Sequence, residues 1–150
     1  MVEFMYLGKG VVMSETMEER IERHEGREGY PYPDSKGVMT IGIGRNLRDN
    51  PLTNEEIDYL FAHDLERVVA QYNSLDLKYR NSLNEIRREV IIEMIFQLGF
   101  AGTKGFVQMF KAIAAGNWEW AADEMLDSKW YKKDTPKRAL ELSELMRHGL

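Results

Sequence analysis

The sequence predicts an α+β fold that is mainly helical: a small β-hairpin lobe, a larger helical lobe, a long helix joining them and a cleft between. Three patterns point there. Turn residues followed by period-two alternation mark residues 27–44, and apolar positions recur at three- and four-residue spacing through most of the remainder. One helical run, Arg87 to Leu98, is apolar nearly all round, as the centre of a helical lobe must be. At 150 residues with 43% apolar side chains, the chain is long enough for one compact domain in two lobes. Residues 1–13 read as an N-terminal extension and residues 14–150 as that domain.

Met1 to Val12 carries Glu3 and Lys9 and is too short and interrupted for a secretory core or a membrane span, so neither a signal peptide nor stable membrane insertion is expected. The first helix is expected to start near Ser14 or Thr16, because Thr16 and Glu19 have capping-box spacing. Gly26 suits its left-handed C-cap. Met17, Ile21 and Glu25 then share one helix face, which puts a carboxylate where the next apolar residue belongs. Tyr30-Pro31-Tyr32-Pro33 and Asp34-Ser35-Lys36-Gly37 carry turn chemistry ahead of a strand from Val38 to Gly44. In that strand Met39, Ile41 and Ile43 make an apolar face, while Thr40, Gly42 and Gly44 leave the other almost bare, open to a sugar chain.

A Thr53 N-cap with Glu56 at N3 starts the long helix through Ile57, Leu60, Phe61, Leu65, Val68 and Tyr72. After the central run, Gly99, Gly102 and Gly105 break the pattern, and Phe106 to Ala115 and Trp118 to Leu126 form two further helices. Thr135-Pro136, an N-cap followed by proline at N1, leads the last helix through Leu140, Leu142, Leu145 and Met146.

A net charge of -5, from 25 acidic and 20 basic side chains mixed along the chain, argues against a nucleic-acid partner that needs phosphates neutralised. The chain has no cysteine, so no disulfide holds it, which fits synthesis in a reducing compartment. His24, His63 and His148 lack metal-ligand spacing, and neither a metal nor any other cofactor is expected.

Glu25, at the negative end of a helix dipole on an apolar face, is placed to resist ionisation and act as a general acid. Asp34 in the turn and Thr40 in the strand follow closely enough to face one cleft with it. Two carboxylates with separate roles are what hydrolysis of a glycosidic bond requires. Singly, each has a plainer reading: Glu25 an exposed glutamate at a helix end, Asp34 a turn former, Thr40 a strand residue. These residues alone leave a glycan-acting enzyme and a sugar-binding module both open.

The order and spacing of Glu25-Gly26, Tyr32, Asp34, Gly37 and Thr40-Ile41-Gly42-Ile43-Gly44 resemble the lysozymes of T-even phages and their relatives. The match continues through Phe61 and Asp64, Arg87-Arg88, Phe96-Gln97, Gly105-Phe106, Trp118, Ala121-Ala122, Trp130-Tyr131, Thr135-Pro136 and Arg138-Ala139. The resemblance implies a lysozyme-like fold and a muramidase cutting the β-1,4 bond between N-acetylmuramic acid and N-acetylglucosamine in peptidoglycan. Glu25, Asp34 and Thr40 match the family's catalytic triad, and inversion at the anomeric carbon is implied.

The resemblance further implies that Arg138 supports catalysis by approaching Glu25, and that Arg45 pairs with Asp64 in place of a histidine–aspartate pair. It places Asn46, Phe96, Met109 and Glu124 along the substrate groove, although only Phe96 keeps the family's residue type. A short connection from Gly44 to Thr53 implies a more open groove. The implied biology is a monomeric endolysin made in the host cytoplasm and acting at the bacterial wall. A lytic transglycosylase, a chitin-type hydrolase and a wall-binding module without turnover are the competing readings.

Overall fold

A computed structural model of the chain describes residues 4–6, 11–13 and 15–150. The rest of the expected extension, and Ser14 as a helix start, lie outside the described residues. Two short strands, β1 (Phe4–Tyr6) and β2 (Val11–Met13), pair antiparallel with Phe4 opposite Met13. The chain divides into two compact units, Met1–Ile57 and Asp58–Leu150.

In the first unit, α1 (Met17–Glu25) begins at the expected cap. Thr16 Oγ1 accepts from the Glu19 amide at 3.1 Å, and Glu19 Oε2 accepts from the Thr16 amide at 2.8 Å. Gly26 ends the helix at φ 79° and ψ 175°, positive in φ as expected but extended in ψ rather than left-handed helical. α1 has no buried residue, so the apolar stripe of Met17 and Ile21 is exposed.

The expected hairpin is a three-stranded antiparallel sheet in the order β3 (Glu28–Pro33), β4 (Met39–Gly42), β5 (Arg45–Asn46). Thr40 stands opposite Tyr32 on one side and Asn46 on the other. The burial of its two faces reverses the expectation. Thr40, on the side read as bare, is 4% exposed, whereas Met39 is 45% exposed. Thr40 lies in the middle strand, with Asn46 of the third strand beside it, and Ile43 falls in the turn that leads to that strand.

Arg45 closes the loop that follows. Its guanidinium donates to the Asn50 and Pro51 carbonyls at 3.0 and 2.8 Å and grips Glu56 with bonds of 2.6 and 3.0 Å. Glu56 also forms the expected capping box with Thr53, at 2.8 and 3.2 Å, which starts α2 (Asn54–Asn73). The partner expected for Arg45 was Asp64. The short connection instead brings Glu56 to it, and Asp64 pairs with Arg67 at 3.0 Å one helical turn on.

The second unit is built on α4 (Glu85–Lys104), whose Val90, Ile91, Ile92, Met94 and Ile95 are buried as the all-round apolar run requires. Gly99 interrupts it with φ 77° and ψ 163°. A short helix, α3 (Leu77–Arg80), precedes it; α5 (Val107–Ala114), α6 (Trp118–Leu126) and α7 (Pro136–His148) pack around it. Among the described residues no single helix is long and apolar enough to cross a membrane.

A π-helical stretch, Trp130–Asp134, joins α6 to α7. Thr135 precedes α7 as expected, with Pro136 first in the helix, but its side chain does not cap it. Its hydroxyl accepts from Gln97 Nε2 at 2.7 Å, and Gln97 Oε1 accepts from Trp130 Nε1 at 3.1 Å. The amide of Gln97 thus satisfies the indole N–H of a buried tryptophan and ties α4 to the start of α7.

Candidate active site

Three of the expected site residues lie on one small scaffold in the first unit. Glu25 is the last residue of α1, and its carboxylate reaches across to the turn after β4. A β-carbon placed on Gly44 would meet Glu25 Oε2 in hard contact and lie 2.9 Å from Cδ. Among the described residues no hydrogen bond or ion pair engages that carboxylate, and the side chain is exposed. The desolvation expected from the stripe of Met17 and Ile21 is therefore not supplied by α1.

Asp34 is held differently. The Lys36 and Val38 amides both donate to Oδ1 at 2.8 Å, while the Asp34 amide donates to the Val38 carbonyl at 2.9 Å. Among the described residues Oδ2 receives no hydrogen bond. Thr40 Oγ1 donates to the same Val38 carbonyl at 3.1 Å. The backbone of one residue, Val38, therefore holds both Asp34 and Thr40, and each keeps an oxygen able to accept.

The Val38 and Lys36 amides, aided by the charges of Lys36 and Arg48, hold the Asp34 carboxyl below its ordinary value. A folded pKa lower than the unfolded one stabilises the fold above the unfolded value and loses that contribution as pH falls through the folded one. The melting-temperature difference between the native chain and Asp34→Asn should accordingly be constant near neutrality and shrink as pH falls below about 4. A difference that stays flat to lower pH would remove this role.

Asn46 is less available than expected. Its Oδ1 accepts from the Arg48 and Asp49 amides at 2.9 and 3.1 Å, and its Nδ2 donates to Asp49 at 2.8 Å. These bonds shape the loop after β5.

The remaining expected residues belong to the second unit. Phe96 is exposed and meets Phe61 edge-on, with ring centroids 5.9 Å apart. Arg138 stands 3.5 Å from Glu93. Met109 is fully buried in the core. Glu124 accepts from Trp120 Nε1 at 2.9 Å and lines a cavity of about 480 Å³ with Leu98, Phe106, Met109, Asp127 and Trp130. Spacing alone did not reveal the Trp120–Glu124 contact, although the two are four residues apart on one helix face.

Among the described residues the Glu25 carboxylate has no hydrogen-bond partner while that of Asp34 is anchored by two amides, and two carboxylates held so differently suit a glycoside hydrolase, in which one group gives a proton and the other stays ionised. The comparisons agree with that class and specify it. Residues 22–147 match the phage lysozyme family model. The chain is 28% identical to probable T4-type lysozyme 1 of Dictyostelium discoideum, over 91% of this chain and 96% of that protein. It is 28% identical to the endolysin of Salmonella phage P22, over 77% of this chain and 82% of that one. It is also 29% identical to the pre-baseplate central spike protein Gp5 of Enterobacteria phage T4 over 89% of this chain, but spans only 28% of that larger protein. The chain belongs to the phage lysozyme family. Its activity is that of a muramidase acting on peptidoglycan.

Proposed function

We propose that the protein is an endo-acting muramidase that cuts between N-acetylmuramic acid and N-acetylglucosamine with inversion. Glu25 gives its proton to the glycosidic oxygen as the bond to the anomeric carbon breaks. Water adds to that carbon from the opposite face and loses a proton to Asp34. The observation that carries this reading is the asymmetry of Asp34: Oδ1 is held by two amides, and Oδ2 is left to accept. Because the Thr40 hydroxyl donates to Val38, its lone pairs are also left to accept. A water whose two hydrogens go to Asp34 Oδ2 and Thr40 Oγ1 keeps a lone pair for attack. Inversion calls for carboxyls roughly 6.5–9.5 Å apart, with room for that water. On the resemblance, Arg138 serves as a supporting cation and Phe96 as a sugar-facing ring. The protein acts as a monomeric endolysin, made in the host cytoplasm and working at the wall.

The test is digestion of purified peptidoglycan with the anomeric form of the first product read by NMR. Reducing ends in the inverted configuration are expected. Retained product would make Asp34 a nucleophile, anhydromuramic ends would mean a transglycosylase, and binding without cleavage would reduce the protein to a wall-binding module. Asp34→Asn should lower kcat about 100-fold or more while reducing ends remain the product type. Nearly unchanged kcat would exclude Asp34 from the water-activating role.

A further inference from the structure

We propose that Gly44 is a positioning residue for the acid: its bare α-carbon is the seat on which the Glu25 carboxyl rests in its working position. The inference depends on Glu25 being the acid, but it rests on a separate observation. The face containing Gly44 invites the reading that a sugar chain lies against the backbone there. The Glu25 side chain occupies that place instead, with its Cγ, Cδ and Oε2 all crowding the point where a β-carbon would project.

The contact restrains a carboxylate that the described residues hold by no hydrogen bond or ion pair. α1 delivers Glu25 from its last position, where the side chain is exposed. The turn between β4 and β5 stops it from one side. β5 pairs with β4 on the far side of that turn, and Arg45, the residue after Gly44, is clamped to Glu56. A methyl group at position 44 has no room unless the carboxyl moves, and reacting groups displaced by about 1 Å can lose about 100-fold in rate.

Gly44 also has φ +66°, which strains any other residue, so Gly44→Ala alone does not separate backbone strain from a displaced acid. Gly116 provides the control. It has φ +67° with nothing within 4 Å of its β-carbon position, and it lies between α5 and α6. Gly44→Ala is expected to lower kcat about 100-fold with KM changed by less than about 3-fold, whereas Gly116→Ala keeps native kcat per folded molecule.

A stability cycle tests the seat without using activity. The drop in melting temperature caused by Gly44→Ala should become smaller when Glu25 is first changed to Ala, because the methyl then meets no carboxyl. Equal drops with and without the Glu25 side chain would overturn the seat, as would native kcat in folded Gly44→Ala. Failure of the acid reading itself has a different signature: Glu25→Gln that remains active.

Discussion

Glu25→Gln is expected to lower kcat on peptidoglycan by about 10²–10⁴-fold, the range attributed to a positioned general acid. The amide keeps the size and planarity of the carboxyl, so it can occupy the same place beside Gly44. What it cannot do is give up a proton to a leaving alkoxide. Because the native side chain is exposed and makes no hydrogen bond among the described residues, its replacement removes no stabilising contact. The variant should melt within a degree or so of the native chain, as surface substitutions usually do. The measurement is release of reducing ends at matched folded concentration. Activity within a few-fold of native would dismiss Glu25 as the acid. A large loss in kcat together with a large loss in stability would point to a structural role instead.

What could be read from the sequence was local. Thr16 with Glu19 and Thr53 with Glu56 form their capping boxes because each needs only a three-residue span and helical geometry. α4 was legible because an all-round apolar run has no solvent-facing alternative. The Asp34 turn was legible as a turn, and its chemistry came from the pattern shared with a family rather than from the turn itself.

Distant partners decided the rest. Thr135 has the residue type and position of an N-cap, yet its hydroxyl serves Gln97, thirty-eight residues earlier, because Gln97 must also satisfy the buried Trp130. A strand of two residues, Arg45–Asn46, is too short to show a period, so the third strand of the sheet is not legible in the sequence. The Arg45–Asp64 expectation carried over a pairing that the resemblance implied. Arg45 pairs with Glu56 instead, at the start of α2. Met109 has the residue type of the core, and the core is where it lies.

Arg87 is the clearest case of a residue that local pattern cannot explain, and its replacement carries the largest expected effect on stability. It sits near the start of α4, but its guanidinium donates to the Met146 carbonyl at 2.7 Å and the Arg147 carbonyl at 3.1 Å, in the last turn of α7. Its flat face lies over the Trp118 ring at 4.0 Å. The backbone at Gly149 presses on it so closely that a β-carbon there would come within 2.7 Å of the guanidinium carbon. Helix C-termini leave carbonyls without intrahelical partners, and here a cation from another helix supplies donors and favours the negative end of the dipole. Arg87→Met keeps the stem but orphans both carbonyls and removes the charge over the ring. The expected cost is about 3 kcal/mol, or a melting point lower by roughly 10 °C. Arg87→Lys should fall between the two, since one ammonium cannot span two carbonyls and also lie flat on the indole. Arg87→Met melting within two degrees or so of the native chain would show that the last turn of α7 does not depend on this cap.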